Sequence, residues 1–553
     1  MGYYCDNKPT SSPLLDKLNM IRITEIKLSL DHPPSAIVAA VIKKLGINAT
    51  DLVEYSIFKR GVDARKADAI LLAYTLDVTV KGETKVLAKL KKDPHVKLAP
   101  DTSYHFVAKA PADLKTRPIV VGLGPSGLFA ALVLAQSGFK PLVLERGKAV
   151  RERTKDTFNF WRKGELNAES NVQYGEGGAG TFSDGKLYSQ IKDPKHYGRK
   201  VLNEFVQAGA PEEILYVSHP HIGTFRLVGM VEKMRETIIA LGGEIRFQSK
   251  VDDIEIKDGQ VQAVILDSGE RIPTHHLVLA VGHSARDTFE MIHKRGVYIE
   301  AKPFSIGFRI EHPQSLIDAA RHGPNAQHPI LGAADYKLVH HASNGRSVYS
   351  FCMCPGGTVV ASASEPGCVV TNGMSQYSRN ERNANAGIVV GITPEVDFPG
   401  DPLAGIALQR KLESQAYLLG GSTYQAPGQL IGDFLSNKAS TKFGEVTPSY
   451  TPGVHLTNLE TALPEYAITA IREAIPEFAK QIKGFDLADG ILTGVETRTS
   501  SPIRIKRNDD NLQSINTKGL YPTGEGAGYA GGILSAGVDG IRVAEAVALS
   551  MVK

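Results

Sequence analysis

The sequence predicts an α/β protein with three structured parts, and three observations lead to this fold class. Residues 118–146 read as one strand, glycine turn, helix and second strand. About 200 residues of mixed strands and helices separate the later strands of this pattern from a glycine-rich segment near the C-terminus. Residues 20–110 alternate as βαββαβ. We therefore predict a Rossmann-like domain assembled from discontinuous segments, an α+β domain inserted into it, and a ferredoxin-like α+β domain before it.

The N-terminal domain is predicted at residues 20–112 from the order of its strands and helices. That order is carried by strands at 21–30, 53–59, 69–80 and 104–109 and by helices at 35–45 and 84–91. Residues 1–19 are polar, mix acids with bases and lack the apolar stretch of a secretory signal. We expect them to form a flexible arm.

The strand and glycine turn at 118–146 predict a dinucleotide-binding unit. Gly122, Gly124 and Gly127 have the G-x-G-x-x-G spacing, which allows a tight turn, close approach of backbone N–H groups to a pyrophosphate, and close helix packing. Glu145 ends the second strand, 23 positions after Gly122, where an acid can accept hydrogen bonds from ribose hydroxyls. A purely structural glycine turn is the alternative. The complete strand–turn–helix–strand context favours the nucleotide, and leaves NAD and FAD open.

Later segments favour FAD. A buried strand at 276–282 ends at Gly282, Thr523-Gly524-Glu525 supplies an acid after a late strand, and Gly532-Ile533 opens a helix whose N–H groups can stabilise negative charge on a reduced flavin. The FAD-binding domain is predicted at 113–300 and 493–553, and the inserted substrate domain at 301–492. The inserted part has no second G-x-G-x-x-G strand and helix, so NAD(P)H is expected only as a transient reductant.

Six strings carry a more specific resemblance: YGEGGAGTFSDGK at 174–186, AVGHSAR at 280–286, CMCPGG at 352–357, TNGM at 371–374, GVETRTSSP at 494–502 and GEGAGYAGG at 524–532. From about residue 20 onward the chain resembles an uncharacterised family of FAD-dependent dehydrogenases of bacteria and plastids, within the glutathione-reductase-like FAD superfamily. The resemblance implies FAD binding and names no substrate. It also implies that 177–181 pass close to the pyrophosphate and the flavin ring, whereas the alternative is a flexible surface loop.

The motif and the resemblance together give the candidate cofactor-binding residues. They are Gly122, Gly124, Pro125, Ser126, Gly127, Glu145, Arg146, Gly177, Gly178, Gly180, Thr181, Val251, Gly282, Gly524, Glu525, Gly532 and Ile533. Val251 is expected to contact adenine through its backbone.

No side chain is assigned a catalytic role, because the flavin carries the redox step, and no metal site is predicted. Each candidate has a structural alternative. Cys352 and Cys354 are redox thiols or buried small hydrophobes, and Glu496, Arg498 and Arg504 bind a carboxylate or phosphate or form ion pairs. His283 is an acid–base group, or it is a cap or exposed to solvent. Asn372, Arg379, Asn383 and Asn385 line a substrate pocket or form a turn network, and Trp161 is predicted as a core residue rather than a cofactor stack.

The predicted function is an FAD-dependent oxidoreductase acting on a small molecule between the FAD-binding and inserted domains. An alternative is an NADPH-dependent enzyme that reduces an unsaturated or oxidised acceptor. The net charge of +4 on 553 residues argues against a nucleic-acid or membrane binder, and four cysteines fit a cytoplasmic protein. A second alternative is an RNA-binding or RNA-modifying flavoprotein. It rests on the basic N-terminal residues Lys59, Arg60, Arg65, Lys66, Lys85, Lys89, Lys91 and Lys92.

Overall fold

The computed structural model describes residues 20–66 and 69–553, so the predicted arm at 1–19 lies outside the described residues. The chain divides into two compact units. The first holds residues up to 102 together with 215–218, and the second holds 103–214 and 219–553. The first unit ends before the predicted boundary at 112. The predicted FAD-binding and inserted domains belong to the same compact unit.

The first unit is a four-stranded antiparallel sheet with two helices. Its elements are β1 (Ile21–Ser29), α1 (Ser35–Leu45), β2 (Leu52–Asp63), β3 (Leu71–Val80), α2 (Glu83–Lys89) and β4 (Val96–Leu98). The strand order is β2-β3-β1-β4. Ile21 and Ile23 of β1 lie opposite Val78 and Leu76 of β3, and all four are fully buried. The first five elements of the predicted βαββαβ order are confirmed, whereas the last strand lies elsewhere than predicted. The apolar positions of β1 and β3 alternate with the period of a strand.

The predicted last strand of this domain, at 104–109, is wrong. Residues 103–109 form no strand, and the fourth strand is Val96–Leu98, which pairs with β1. Tyr104 and Phe106 instead make an edge-to-face ring contact at 5.0 Å, and Tyr104 packs 6.1 Å from the ring of Tyr197 in the second unit's core. The alternation of aromatic residues therefore serves side-chain packing and not sheet pairing.

Several basic side chains of the first unit have partners. Arg65 forms an ion pair with Asp63 at 2.5 Å, and Lys89 Nζ donates to the carbonyl of Gly46 at 3.3 Å. The Arg60 guanidinium lies 5.4 Å from the ring centre of Tyr216. Of these contacts, only the ion pair with Asp63 offsets a positive charge, and RNA binding by this unit stays a prediction.

The second unit begins with a strand-rich segment that runs to residue 301. Its elements are β5 (Ile119–Val121), α3 (Pro125–Gln136), β6 (Leu142–Leu144), α4 (Val150–Lys163), α5 (Tyr197–Gln207), α6 (Thr224–Ala240), β7 (Glu244–Arg246), β8 (Val251–Lys257), β9 (Gln260–Leu266), β10 (Arg271–Pro273), β11 (Leu277–Leu279), α7 (Arg286–Lys294) and β12 (Ile299–Ala301).

The remaining elements complete the unit. They are β13 (Phe304–Pro313), α8 (Gln314–His322), β14 (Val339–His341), β15 (Ser347–Cys354), β16 (Gly357–Ala361), β17 (Thr371–Ser375), β18 (Asn383–Ile392), α9 (Pro394–Asp397), α10 (Ala404–Leu419), β19 (Ala426–Leu430), α11 (Ile431–Leu435), β20 (Val454–Leu456), α12 (Glu465–Ala479), β21 (Ile491–Glu496), β22 (Ile503–Ile505), β23 (Leu520–Pro522) and α13 (Ile533–Met551).

A five-stranded parallel sheet with the order β23-β11-β5-β6-β7 organises the first of two layers. Alternate side chains of its strands face opposite cores: Val120, Val143 and Val278 pack with α3, α5, α6 and α13, whereas Ile119 and Leu142 pack with the antiparallel meander β8–β10 and α7. The predicted return of the chain to this domain near the C-terminus is confirmed, because β23 pairs with β11. Distant segments thus meet at the carboxyl ends of adjacent strands.

A seven-stranded sheet with the order β14-β15-β18-β13-β21-β19-β20 forms the other layer. Its fully buried strands β13 and β18 pair antiparallel over their whole lengths, and α12 packs against them. β21 extends to Glu496, past the predicted boundary at 492, so Glu496 stands on this sheet. In the described residues, none of the helices combines the length and apolar character needed to span a bilayer.

Candidate functional site

A cleft of about 260 Å³ lies at the carboxyl ends of the parallel strands, where open α/β sheets bind ligands. It is lined by 121–126, 144–146, 173–175, 178–180, 183–186, 249–251, 280–285, 523–525 and 532–533, and on another side by Phe351, Cys352, Asn372, Glu496, Arg498 and Thr499. We call the second set, with Asp184 and Lys186, the polar wall. All the predicted cofactor-binding residues line the cleft except Gly127, Gly177 and Thr181.

The first glycine turn is held by close backbone packing. Gly122 has φ +95°, and a Cβ there would lie 2.4 Å from the carbonyl oxygen of Ala280. A Cβ on Gly127 would lie 2.0 Å from the carbonyl oxygen of Gly122. Neither position admits a side chain, so Gly127 acts by packing α3 against the turn and not by facing the cleft. Pro125 and Ser126, the first residues of α3, do line the cleft.

Glu145 joins three loops beside this turn. Its carboxylate accepts hydrogen bonds from the backbone N–H groups of Leu123 at 2.8 Å, Gly147 at 2.8 Å and Gly175 at 3.0 Å. The side chain is buried but reaches the cleft lining. Because a carboxylate has about four acceptor positions, one remains for a hydroxyl donor from the cleft. Its predicted contact with a ribose stays a prediction.

The segment 174–186 is a packed part of the cleft. Residues 174–177 are buried, and Gly178 has φ +60° with a Cβ position 2.8 Å from the Cα of Gly124. The Cβ position of Gly180 lies 3.0 Å from Ile533 at the start of α13. The segment therefore fits between the starts of α3 and α13, and the alternative of a flexible surface loop is wrong. Thr181 Oγ1 is buried and has no hydrogen-bond partner among the described residues.

Arg153, which the sequence did not single out, supports the same segment. It is completely buried, and its guanidinium donates to the carbonyl oxygens of Asn171, Val172 and Glu176, each at 2.7 Å. Burial lowers the pKa of Arg153 to about 10. An arginine in a helix of otherwise ordinary amphipathic pattern gives no sequence signal for this role.

Arg146 lies at the same end of the cleft as Glu145. Its guanidinium stands 4.1 Å from the ring centre of Tyr174 and forms a two-bond ion pair with Asp287 at 2.9 Å. It also bonds Glu169 at 2.7 Å. The arginine is therefore fixed in orientation while part of it lines the cleft.

The last helix, α13, holds in place the side of the cleft opposite Glu145 and Arg146. The Asp539 carboxylate accepts from the Gly524 N–H at 2.8 Å and from Thr523 Oγ1 at 2.9 Å, and Arg507 pairs with it at 2.6 Å. Thr523 Oγ1 also lies 2.8 Å from Ser126 Oγ. This network ties the segment after β23 to the start of α3. Asp539 and Arg507 carried no signal in the sequence, because their partners are distant in the chain.

Glu525 is the titratable group at this side of the cleft. Burial raises the pKa of its carboxyl to about 7, Lys302 opposes the rise, and the charge of Cys352 adds to it. Glu525 can therefore bind or release a proton near neutral pH. The neighbouring Gly532 has φ +90° and begins α13, which directs its N-terminus toward the cleft.

The polar wall includes a lysine with incomplete charge compensation. Lys186 Nζ donates to the carbonyl of Met353, and its nearest carboxylate oxygen, on Asp184, is 4.0 Å away. Asp184 is already bonded twice by Arg379, once at 3.0 Å between Nε and Oδ1. Arg379 itself does not line the cleft but neutralises Asp184. Lys186 thus leaves net positive charge at the wall.

Arg309, on β13, connects the other groups of the polar wall. It is fully buried and bonds Glu496 at 2.7 and 3.2 Å, Asn372 Oδ1 at 3.1 Å, Asn385 Oδ1 at 3.2 Å and the Cys352 carbonyl at 2.8 Å. Cys352, Asn372 and Glu496, which belong to three separate groups of sequence candidates, therefore lie together around Arg309. Asn385 serves this network from behind the wall.

Arg498 belongs to a buried ion network. The Glu413 carboxylate accepts from Arg498 at 2.8 and 3.0 Å and from Arg286 at 2.7 and 3.0 Å. The arginines hold the pKa of Glu413 well below its usual range. Glu365, Cys368 and Glu413 are close enough to hold a metal ion. Arginines already occupy both carboxylates, so the group is a structural ion cluster.

The remaining sequence candidates have structural roles. Burial and the charges of Arg498 and Arg286 lower the pKa of His283 to about 3, so this cleft-lining imidazole is neutral near pH 7 and is not an acid. Asn383 bonds Glu311 at 2.9 Å, and Trp161 donates to the Ala361 carbonyl at 2.8 Å within the core. Arg504 lies outside the cleft, 3.6 Å from Glu300. These side chains are not brought together as substrate contacts.

The cleft has the features that an FAD molecule requires. Two helix N-termini, of α3 and α13, face it with backbone donors, and the close approach of Gly124 and Gly178 leaves a surface made of backbone only. Glu145 lies at one end as a hydroxyl acceptor, and the unpartnered hydroxyl of Thr181 lies behind the glycine segment. The residues present fit a dinucleotide that carries a pyrophosphate at its middle.

Comparison with known proteins agrees with this geometry. Residues 303–499 match the family described as "FAD-dependent protein, C-terminal domain-like", and residues 20–79 match a domain of unknown function (DUF8436). A protein of Clostridium beijerinckii described as uncharacterized is 50% identical over 527 residues, which cover 95% of this chain and 98% of the clostridial protein. The chain belongs to the same family as this clostridial protein. FAD is the family's cofactor, as the FAD-dependent domain match indicates.

The family also has structural likenesses among solved flavoproteins. CtdE in complex with FAD is 12% identical, with a TM-score of 0.30 over 77% of this chain and 83% of CtdE. The halogenase PltM is 12% identical, with a TM-score of 0.35 over 79% of this chain and 67% of PltM. The flavin-dependent brominase Bmp2 is 11% identical, with a TM-score of 0.34 over 78% of this chain and 79% of Bmp2.

Proposed function

We propose that the protein is an FAD-dependent oxidoreductase whose small-molecule substrate binds against the polar wall. One observation carries this proposal: the glycine-lined cleft continues without interruption to Lys186, Cys352, Asn372 and Glu496. A cofactor cradle that served only structure would need no charged or thiol side chains at its inner end. The substrate therefore meets the flavin on the side formed by the seven-stranded sheet.

The chain's own residues supply binding and proton transfer. FAD, when bound, accepts or donates two electrons. Glu525 can hold a proton on its carboxyl near pH 7 and pass it to a neighbouring atom, because burial places its pKa at about 7. Lys186 attracts a negatively charged or carbonyl-bearing substrate group, since its ammonium is not fully matched by Asp184. Asn372 is oriented by Arg309 and Gly373, which leaves its amide donor for the substrate.

The redox proposal is tested by following flavin absorbance under anaerobic conditions. NADPH and NADH are mixed separately with the purified holoprotein; bleaching with either supports a nicotinamide-fed reductase, and bleaching with neither favours an enzyme that oxidises its own substrate. Flavin reduced with dithionite is then offered an activated alkene, a disulfide, a quinone or dioxygen. Oxidoreductase function is contradicted if neither nicotinamide bleaches the flavin and if the alkene, the disulfide and the quinone all fail to reoxidise the dithionite-reduced flavin under anaerobic conditions.

The location of the substrate is tested with Asn372→Ala. Loss of one hydrogen bond in the cleft is expected to lower kcat/KM about tenfold for whichever electron donor or acceptor proves active, with FAD content unchanged. Asn159→Ala is the control, because Asn159 is an exposed residue of α4 outside the cleft. If the two variants have the same kcat/KM, the polar wall is not part of the substrate site.

A further inference from the structure

Cys352 lies at a distortion in β15 that directs it toward the cleft. The pairing of β15 with β18 is regular up to Phe351 and resumes only at Cys354, so Cys352 and Met353 form a bulge. Cys352 also has φ +45°, a left-handed conformation that is uncommon for a residue with a Cβ. Such strained backbone persists where surrounding contacts hold it, and it concentrates at functional positions.

Specific contacts hold the bulge in place. Arg309 Nη1 donates to the Cys352 carbonyl at 2.8 Å, and Lys186 Nζ donates to the carbonyl of the next residue, Met353. Cys354 Sγ donates to the same Cys352 carbonyl at 3.3 Å. The carbonyl oxygens of Cys352 and Met353 thus both accept hydrogen bonds from side chains. Cys352 is partly exposed and lines the cleft, whereas Cys354 is buried and does not.

The charges around Cys352 favour an anion at its sulfur. Three of the groups that face it lie on strands: Cys354 on β15, Arg309 on β13 and Glu496 on β21. Lys186 and Asp184 face it from the segment 174–186, and Glu525 faces it across the cleft. Arg309 is matched by Glu496, and Asp184 is matched by Arg379. Lys186 is the cation that lacks a full partner. A thiolate at Cys352 would give the Lys186 ammonium a negatively charged partner.

The two cysteines differ in protonation. The interaction with the Cys354 side chain, together with the charges of Arg309 and Lys186, lowers the pKa of the Cys352 thiol well below its ordinary value. The same interaction and burial raise the pKa of Cys354 well above that value. Cys354 is therefore the member of the pair that stays protonated.

We propose that Cys352 is a thiolate nucleophile open to the cleft, with Lys186 as its counter-ion and Cys354 as its protonated neighbour. Thiolates react preferentially with soft electrophiles, so the site would bind a substrate or modifier with an electron-poor carbon or a polarisable sulfur. This inference goes beyond the proposed redox function. It rests on the geometry of the bulge and does not require that electrons pass through the thiol.

The test measures the reaction of the holoprotein with iodoacetamide, which forms an S–C bond at the thiolate and releases iodide. Peptide mass spectrometry follows each cysteine between pH 6 and 9. Cys352 is expected to react at rates that differ by less than about threefold across this range, whereas glutathione, an ordinary thiol with a pKa near 8.5, is expected to change by roughly 200-fold. The FAD content of every sample is measured alongside.

Variants of Lys186 test whether its charge is responsible for the shallow pH dependence of the reaction at Cys352. Lys186→Met should restore a steep pH dependence at Cys352, and Lys186→Arg should keep the shallow one, because the charge is retained. Lys192→Met is the matched control: Lys192 is an exposed lysine on the same stretch of chain and lies outside the cleft. Unchanged FAD content in these variants separates loss of the thiolate from loss of the cofactor site.

Thiolate absorbance near 240 nm provides a measurement that does not depend on reagent access. The difference between wild type and Cys352→Ser should show one thiolate at pH 6. An ordinary thiol titration of Cys352 overturns the proposal, and so does a pH profile that Lys186→Met leaves unchanged. If Cys352 is anionic but resists iodoacetamide both with and without FAD, its openness to the cleft is refuted.

Discussion

Asp539 in α13 and Gly524 after β23 are joined by a 2.8 Å hydrogen bond from the Gly524 N–H to the Asp539 carboxylate. Arg507 holds the same carboxylate through two further bonds. Gly524 has φ +74° and lines the cleft, so a buried ion pair behind the cleft sets the backbone that faces the cleft. The last helix therefore contributes both its N-terminus and an internal acid to the cleft.

Replacing this acid is expected to damage both stability and cofactor retention. Asp539→Asn leaves the buried Arg507 without its counter-charge, which should cost about 3–5 kcal/mol of unfolding free energy in urea denaturation. FAD retention through gel filtration should fall in the same variant. Asp510→Asn, at an exposed position, should change the unfolding free energy by less than about 0.5 kcal/mol. Equal FAD retention in the two variants would show that Asp539 does not shape the cleft.

The ion network at Glu413 predicts that replacing this residue lowers the unfolding free energy strongly and by an amount that depends on pH. Glu413→Gln leaves Arg286 and Arg498 buried without their shared carboxylate and should lower the unfolding free energy by about 3–5 kcal/mol near pH 7. The pKa of Glu413 is held well below its usual range, so its stabilising contribution is present above about pH 4.5 and is lost as the pH falls below that value. The gap between wild type and variant should therefore narrow on acidification.

An exposed ion pair provides the comparison for this variant. Glu477→Gln removes a 2.6 Å surface pair with Lys480, and exposed pairs contribute between zero and about 1 kcal/mol. If Glu413→Gln loses no more unfolding free energy than Glu477→Gln, the buried network does not stabilise the fold as we predict.

Glu525 predicts the opposite pH dependence in FAD-depleted protein. Its folded-state pKa of about 7 lies above the ordinary carboxyl value, so the folded state binds the extra proton and loses stability as the pH rises from about 4.5 through 7. Glu525→Gln should match wild type below pH 4.5 and exceed it by about 1–3 kcal/mol above pH 7. Urea denaturation at several pH values measures this difference, with the exposed Glu395→Gln as a control. Parallel curves for wild type and Glu525→Gln would contradict the raised pKa.

The sequence predicted the parts of the site that backbone geometry requires. Gly122 and Gly282 could be recognised because a tight turn after a strand needs glycine, and Gly178 because the string around it resembles the FAD-dependent family. β5 and β11 were predictable for a similar reason, since their continuous apolar runs end at Gly122 and Gly282.

The side chains that support the site could not be predicted in this way. Arg153, Arg309 and Asp539 act through partners that are distant in the chain, and a charged residue in a strand or helix pattern does not reveal its partner. His283 had a plausible position after a cleft-lining strand, but its neutral state depends on burial next to Arg286 and Arg498, which only the fold brings near. The alternating pattern at 104–109 failed because its aromatic residues pack in a core and do not pair in a sheet.

The FAD content of Gly178→Ala tests the central claim most directly. A Cβ at residue 178 would lie 2.8 Å from the Cα of Gly124, between the two backbone segments assigned to the pyrophosphate. Gly332→Ala is the matched control, because Gly332 has a similar φ of +62° with no atom within 4 Å of its Cβ position. We expect about one FAD per chain in wild type and in Gly332→Ala, and at least tenfold weaker FAD binding in Gly178→Ala. Equal FAD content in all three proteins, or wild-type protein that does not take up FAD, would contradict the account.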